Sequence, residues 1–147
     1  MPHRLLVKKP LPSKEEKIPK KKLQKVASGK FYYCVQAALD KKAKSVVLIN
    51  VSALTSFADY FIICHGDSSR QVRGIAKHIE EKMDEAGFKP LGIEGYAEGN
   101  WILIDYNDVV IHIFQKPVRD FYDLERLWSE APLIEIADEK SLSEANI

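Results

Sequence analysis

Apolar and polar positions follow two different periods along this chain. From Trp101 to Phe114 the period is two. The runs Trp101-Ile102-Leu103-Ile104-Asp105-Tyr106 and Val109-Val110-Ile111-His112-Ile113-Phe114 flank a polar tip, Asn107-Asp108. Rich in Ile and Val and broken by turn-tolerant residues, this stretch predicts a β-hairpin. The turn sets the pairing: Tyr106 opposite Val109, Asp105 opposite Val110, Leu103 opposite His112, Trp101 opposite Phe114. Because side chains alternate between faces, Ile102, Ile104, Tyr106, Val109, Ile111 and Ile113 share one face. Nearly pure hydrocarbon, that face belongs on a core. Trp101, Leu103, Asp105, Val110, His112 and Phe114 share the other.

From Ser68 to Gly87 the period is helical. Val72, Ile75, Ala76, Ile79, Met83 and Ala86 recur every third or fourth residue. Ser68 with Gln71 three residues on matches a capping box, and Gly87 ends the run. A first helix is expected from about Lys30 to Lys44. Ser45–Val51 and Asp59–His65 are apolar on both faces and read as central strands. Lys89–Glu94 reads as a short strand. Pro117 opens a last helix over roughly 117–129, with Phe121, Leu124 and Trp128 on one stripe. The order predicts an α/β fold, a mixed sheet of about five strands with helices packed against it.

Composition adds limits. A chain of 147 residues, 46% hydrophobic, suits one globular domain. No apolar run reaches the ~20 residues of a membrane span, and no signal peptide is visible. Cys34 and Cys64 lie in apolar runs without Cys-x-x-Cys spacing, so buried, reduced thiols in a cytoplasmic protein are expected. The net charge of +1 hides a division. Residues 1–30 carry ten Lys and Arg against two Glu, a surplus of +8; residues 31–147 carry 12 against 19, a balance of −7. With four prolines and little periodicity, residues 1–30 read as a disordered basic tail, either a solubilising extension or a sequence-independent grip on RNA phosphates. The basic residues are almost all Lys and Ser is scarce, unlike a transit peptide. The domain is expected over 31–131, and 132–147 as an acidic, weakly structured tail.

Candidate chemistry is sparse. Asp105 and His112 sit diagonally on one hairpin face, roughly 7 Å apart, and could form half of a hydrolase triad. No nucleophile elbow completes it, because Ser68 fits helix capping better. His65 and His78 lie on different elements and make no metal motif; His78, off the apolar stripe of its helix, is expected in solvent. Gly66-Asp67-Ser68-Ser69-Arg70 lacks the glycine pattern of a nucleotide-binding loop, so a structural cap is favoured. No catalytic residue, metal or cofactor is therefore assigned. The mixed face of the hairpin could be a second buried face. Its carboxylate and imidazole favour partial exposure to a partner instead, since an unpaired buried charge is costly. Trp101, Leu103, Asp105, His112 and Phe114 are the expected partner-binding residues. Tyr122, Glu125 and Trp128 either pack or flank the same surface.

Several of these segments together resemble the ribosomal silencing factor family, also called Iojap-like. The resemblance runs from Phe31 to Ala131. It rests on Asp59-Tyr60-Phe61, Ser68-Ser69-Arg70-Gln71-Val72, Glu94-Gly95, the two hairpin strands, and Tyr122-Asp123-Leu124-Glu125-Arg126-Leu127-Trp128. The family would usually show Asp at Asn50 and Gly at Asn107. The resemblance implies a nucleotidyltransferase-like fold that has lost its chemistry. It implies binding to the large ribosomal subunit through its protein fourteen, where the small subunit docks, so that subunit joining is blocked and translation repressed. It also implies a homodimer when free. An acidic body suits a basic ribosomal partner. A competing reading is a small metal-dependent nucleotidyltransferase or phosphohydrolase; a general nucleic-acid-binding module is disfavoured by the acidic body.

Overall fold

The computed structural model describes residues 30–138. The elements run α1 (Tyr32–Asp40), β1 (Lys44–Asn50), β2 (Tyr60–Gly66), α2 (Ser69–Glu85), β3 (Gly92–Glu94), β4 (Trp101–Asp105), β5 (Val109–Gln115), α3 (Lys116–Tyr122), α4 (Leu124–Leu127) and β6 (Leu133–Ile136). The six strands lie in the order β3-β4-β5-β2-β1-β6. Only β2 and β5 pair in parallel among these neighbours. The parallel pair demands a long crossover, and α2 with the β3–β4 hairpin supplies it.

The β4–β5 register is the one the turn dictates. Trp101 pairs with Phe114, Leu103 with His112 and Asp105 with Val110. Asn107 takes a left-handed backbone (φ 74°), which Asn tolerates. The Asp105 carboxylate accepts from the Asn107 N–H at 2.8 Å, closing the turn locally. Ser68 caps α2 by accepting from the Gln71 N–H. The Gln71 side chain reaches back one residue further than a standard capping box, to the Asp67 N–H.

Both faces of the sheet are covered. On one, Val72, Ile75, Ala76, Ile79 and Met83 of α2, with α1, pack on Ile62, Cys64, Ile102, Ile104, Ile111 and Ile113. On the other, Val51, Leu54 and Ala58 of the β1–β2 connector, with Leu124 and Trp128, pack on Ile49, Phe61, Ile63, Trp101, Leu103, Val110 and Phe114. Gly95 makes the approach to β4 possible. Its φ is 80°, and a Cβ there would lie 2.1 Å from the Trp101 carbonyl oxygen.

Four expectations need correction. The first helix stops at Asp40, because Lys42 turns left-handed (φ 59°) and the Ala38 carbonyl takes the Lys41 and Ala43 N–H groups. The last helix is two: Asp123, at φ 46° and ψ 58°, breaks it. The break rotates Leu124 and Trp128 into the core and leaves Phe121 80% exposed, so the three do not share a stripe. Residues 133–136, expected in a weakly structured tail, form the sixth strand, antiparallel to β1. His78 is not free in solvent; its Nε2 lies 3.1 Å from the Asp40 carboxylate. The expected disorder of the N-terminal tail falls outside the described residues, except at Lys30. That lysine donates to Asp108 at 2.7 Å and to the Tyr106 carbonyl at 3.0 Å, so its charge serves the fold.

Candidate functional site

The mixed face of the hairpin is a second core, not an open surface. Trp101, Leu103, Asp105, His112, Phe114 and Trp128 are all buried. The cause is the cover: an imidazole and a carboxylate on a strand do not force exposure when each finds a local partner. The Trp101 indole N–H donates to His112 Nδ1 at 3.1 Å. Asp105 serves the turn and makes no catalytic pair with His112. Rings fill the rest. Trp101 lies 4.8 Å from Phe114 and 4.9 Å from Tyr122 between centroids. Phe61 meets His112 at 4.9 Å and Trp128 at 5.2 Å, both edge to face.

Because Nδ1 accepts from the indole, His112 carries its hydrogen on Nε2. That donor and the Trp128 indole N–H find no partner among the described residues. Burial holds the imidazole neutral and pushes its pKa down to about 3. An unfolded chain protonates near pH ~6.5. Below that pH the unfolded state binds more protons, so stability falls as pH falls, by ~1.4 kcal/mol per pH unit for one proton. His112→Asn keeps an acceptor for Trp101 and cannot titrate. Denaturant melts between about pH 6 and 4 should give it a shallower slope by about that amount. Equal slopes would show that His112 already titrates in the folded state.

The thiols are equally withdrawn. Cys34 and Cys64 are free and buried. Desolvation raises both pKa values, that of Cys64 to about 12. Asp105 and Asp108, the carboxylates around the hairpin tip, bond the turn and Lys30 respectively. Among the described residues no three His, Cys, Asp or Glu side chains gather as a metal site.

What remains accessible of the expected set is Tyr122 and Glu125, both half-buried. Tyr122 flanks Phe121 on α3, with Asp120 exposed beside it, and Glu125 lies on α4. Tyr122 lies between the buried Trp101 and the exposed Phe121, whose ring it meets edge to face at 5.1 Å. Behind this surface Arg119 anchors α3. Its Nε donates to Glu125 at 2.8 Å and its Nη1 to the Ser45 carbonyl at 2.7 Å, while His65 Nδ1 lies 2.9 Å from the same Nη1. Arg119 and Phe121, two residues apart in α3, point to opposite sides of the helix, and the break at Asp123 redirects only the residues that follow it.

The comparisons with known proteins agree with one another. The family described as "Ribosomal silencing factor during starvation" matches residues 24–146. The chain is 44% identical over 102 residues to the ribosomal silencing factor of Halalkalibacterium halodurans, covering 69% of this chain and 87% of the relative. It is 42% identical over 97 residues to that of Bacillus subtilis, covering 66% and 82%. Among solved structures, a crystal structure of a protein from Chromobacterium violaceum superposes with a TM-score of 0.67 at 39% identity, covering 68% of this chain and 83% of that one.

Proposed function

The chain belongs to the ribosomal silencing factor family, and from that membership we propose that this regulator of translation binds the large ribosomal subunit on its protein fourteen. Occupying the surface where the small subunit docks, it blocks joining by steric exclusion. No bond is made or broken, so the protein is not an enzyme, and it works in the cytoplasm. Residues 31–131, extended by β6, form the binding domain. The free protein is a homodimer, and the basic residues before Lys30 add contacts to ribosomal RNA.

The observation that supports the reading best is Phe121. A phenylalanine 80% exposed on α3, its ring edge to face with Tyr122, is an apolar anchor on the surface. Aromatic anchors dominate interface energy, and the acidic balance of residues 31–147 favours a basic partner. The contact surface is therefore moved outward from the hairpin face to α3 and α4. Trp101, Leu103, His112, Phe114 and Trp128 act beneath it, holding Tyr122 in place.

Co-sedimentation with purified subunits tests the reading. The protein should pellet with large subunits and not with small ones, and should suppress their joining measured by light scattering. Pelleting with both alike, or joining that proceeds at saturation, would remove the steric mechanism. Deleting residues 1–29 should keep partner choice and flatten the salt dependence of binding, because each phosphate contact releases counterions. An unchanged salt slope would show that the tail does not touch RNA.

A further inference from the structure

Strand β1 is irregular at its start. Pairing with β2 shifts between Lys44 and Val47, and Ser45 adopts φ 49°. The Ser45 carbonyl reaches Arg119 Nη1 at 2.7 Å, beside His65 Nδ1 at 2.9 Å. The same guanidinium holds Glu125 at 2.8 Å. Arg119 is 8% exposed and His65 6%. One side chain thus ties β1, β2, α3 and α4 together.

The chemistry of that contact depends on one proton. A guanidinium has donors and no acceptor, so Nδ1 must offer a lone pair. Protonated, His65 would point an N–H at an N–H, with two buried cations 2.9 Å apart. We propose that the His65–Arg119 contact is an acid-released latch that holds α3 and α4 on the sheet.

The surrounding charges support this sign. On α3, Lys116 faces His65 as a second cation and Asp120 as a carboxylate; Asp67 follows β2. Lys44 of β1 holds Asp67 at 2.6 Å, Lys116 holds Asp120 at 3.0 Å, and Arg119 holds Glu125 of α4. Each of these carboxylates is thus already paired with a cation. Asp123, between the helices, and Glu135 of β6 line the same cleft of about 430 Å³. Burial first, then Arg119 and Lys116, push the His65 pKa below its ordinary value, outweighing Asp67 and Asp120. A released His65 would titrate near ~6.5. The latch is therefore closed above that pH and loosens as pH falls toward the lowered value. For one proton the opening constant rises by up to about tenfold per pH unit. Opening lifts Leu124 and Trp128 from Phe61 and Trp101, independently of whether α3 is the ribosome-facing surface.

The test is an NMR titration of the full chain from about pH 7.5 to 5, around the ordinary histidine pKa, read with amide hydrogen exchange. The His65 ring and the amides of residues 116–128 should follow one midpoint, below the ordinary histidine value. Exchange in 116–128, corrected for its intrinsic rate, should rise by up to about tenfold per pH unit through local opening, at rates above those of α2, which exchanges on global unfolding. His65→Asn offers an acceptor that cannot titrate and should abolish the response; His112→Asn should retain it. The latch is refuted by α3 amides that stay still while His65 titrates, or by a His65→Asn chain that responds like the parent. If that variant does not fold, the parent titration decides alone.

Discussion

A Trp101→Ala chain will lose about 3–5 kcal/mol of stability, the usual cost of deleting a buried Trp or Phe side chain. It will not be a clean binding mutant. The indole is 5% exposed and lies against Phe114, Tyr122 and His112. Truncation leaves a cavity between the hairpin and α3, and it strips His112 Nδ1 of its donor. For a domain of ordinary marginal stability that is a large fraction of the total. Urea denaturation reads the loss directly. Trp101→Phe, which keeps most of the volume and loses the N–H, should recover much of it. A Trp101→Ala chain as stable as the parent but unable to bind large subunits would return the partner surface to the hairpin face. Asp105→Lys carries the same confusion. Its carboxylate closes the turn at Asn107 and is 7% exposed, so reversing its charge acts on the fold first.

This outcome marks where sequence reasoning reached its limit. The hairpin register followed from two residues of turn and a period of two, because pairing is a local geometric consequence. The cap at Ser68 and the buried strands β1 and β2 were local as well. Face assignment was also correct, with Ile102, Ile104, Tyr106, Val109, Ile111 and Ile113 on one side. What periodicity cannot say is what lies over the second side. Its cover comes from Leu54, Ala58, Leu124 and Trp128, the last more than 60 residues from Phe61, which it touches. The polar residues misled for a related reason. Asp105 and His112 look costly to bury until the Asn107 N–H and the Trp101 indole are placed beside them. The break at Asp123 was invisible because aspartate is compatible with a helix and with a left-handed turn alike. Strand β6 was missed because Leu133-Ile134-Glu135-Ile136 is short and borrows its order from β1.

Phe121→Ala is expected to separate binding from folding where Trp101→Ala cannot. The ring is 80% exposed, so its removal should change stability by no more than about 0.5 kcal/mol. A central aromatic anchor commonly contributes ~2 kcal/mol or more, which corresponds to roughly 30-fold weaker binding to large subunits. Phe121→Lys should do more, since it places a cation opposite a basic partner while Asp120, Tyr122 and Glu125 stay in place. Thermal midpoint, large-subunit affinity and suppression of subunit joining need to be read on the same preparations. Parallel loss of affinity and of silencing at constant midpoint supports the α3 surface. Parental affinity in both variants would exclude Phe121 and move the contact elsewhere on the acidic body. An intermediate pattern, with affinity lost and silencing kept at saturating protein, also has a clear reading. Phe121 would then set occupancy, while the bulk of the bound domain, not this contact, excludes the small subunit.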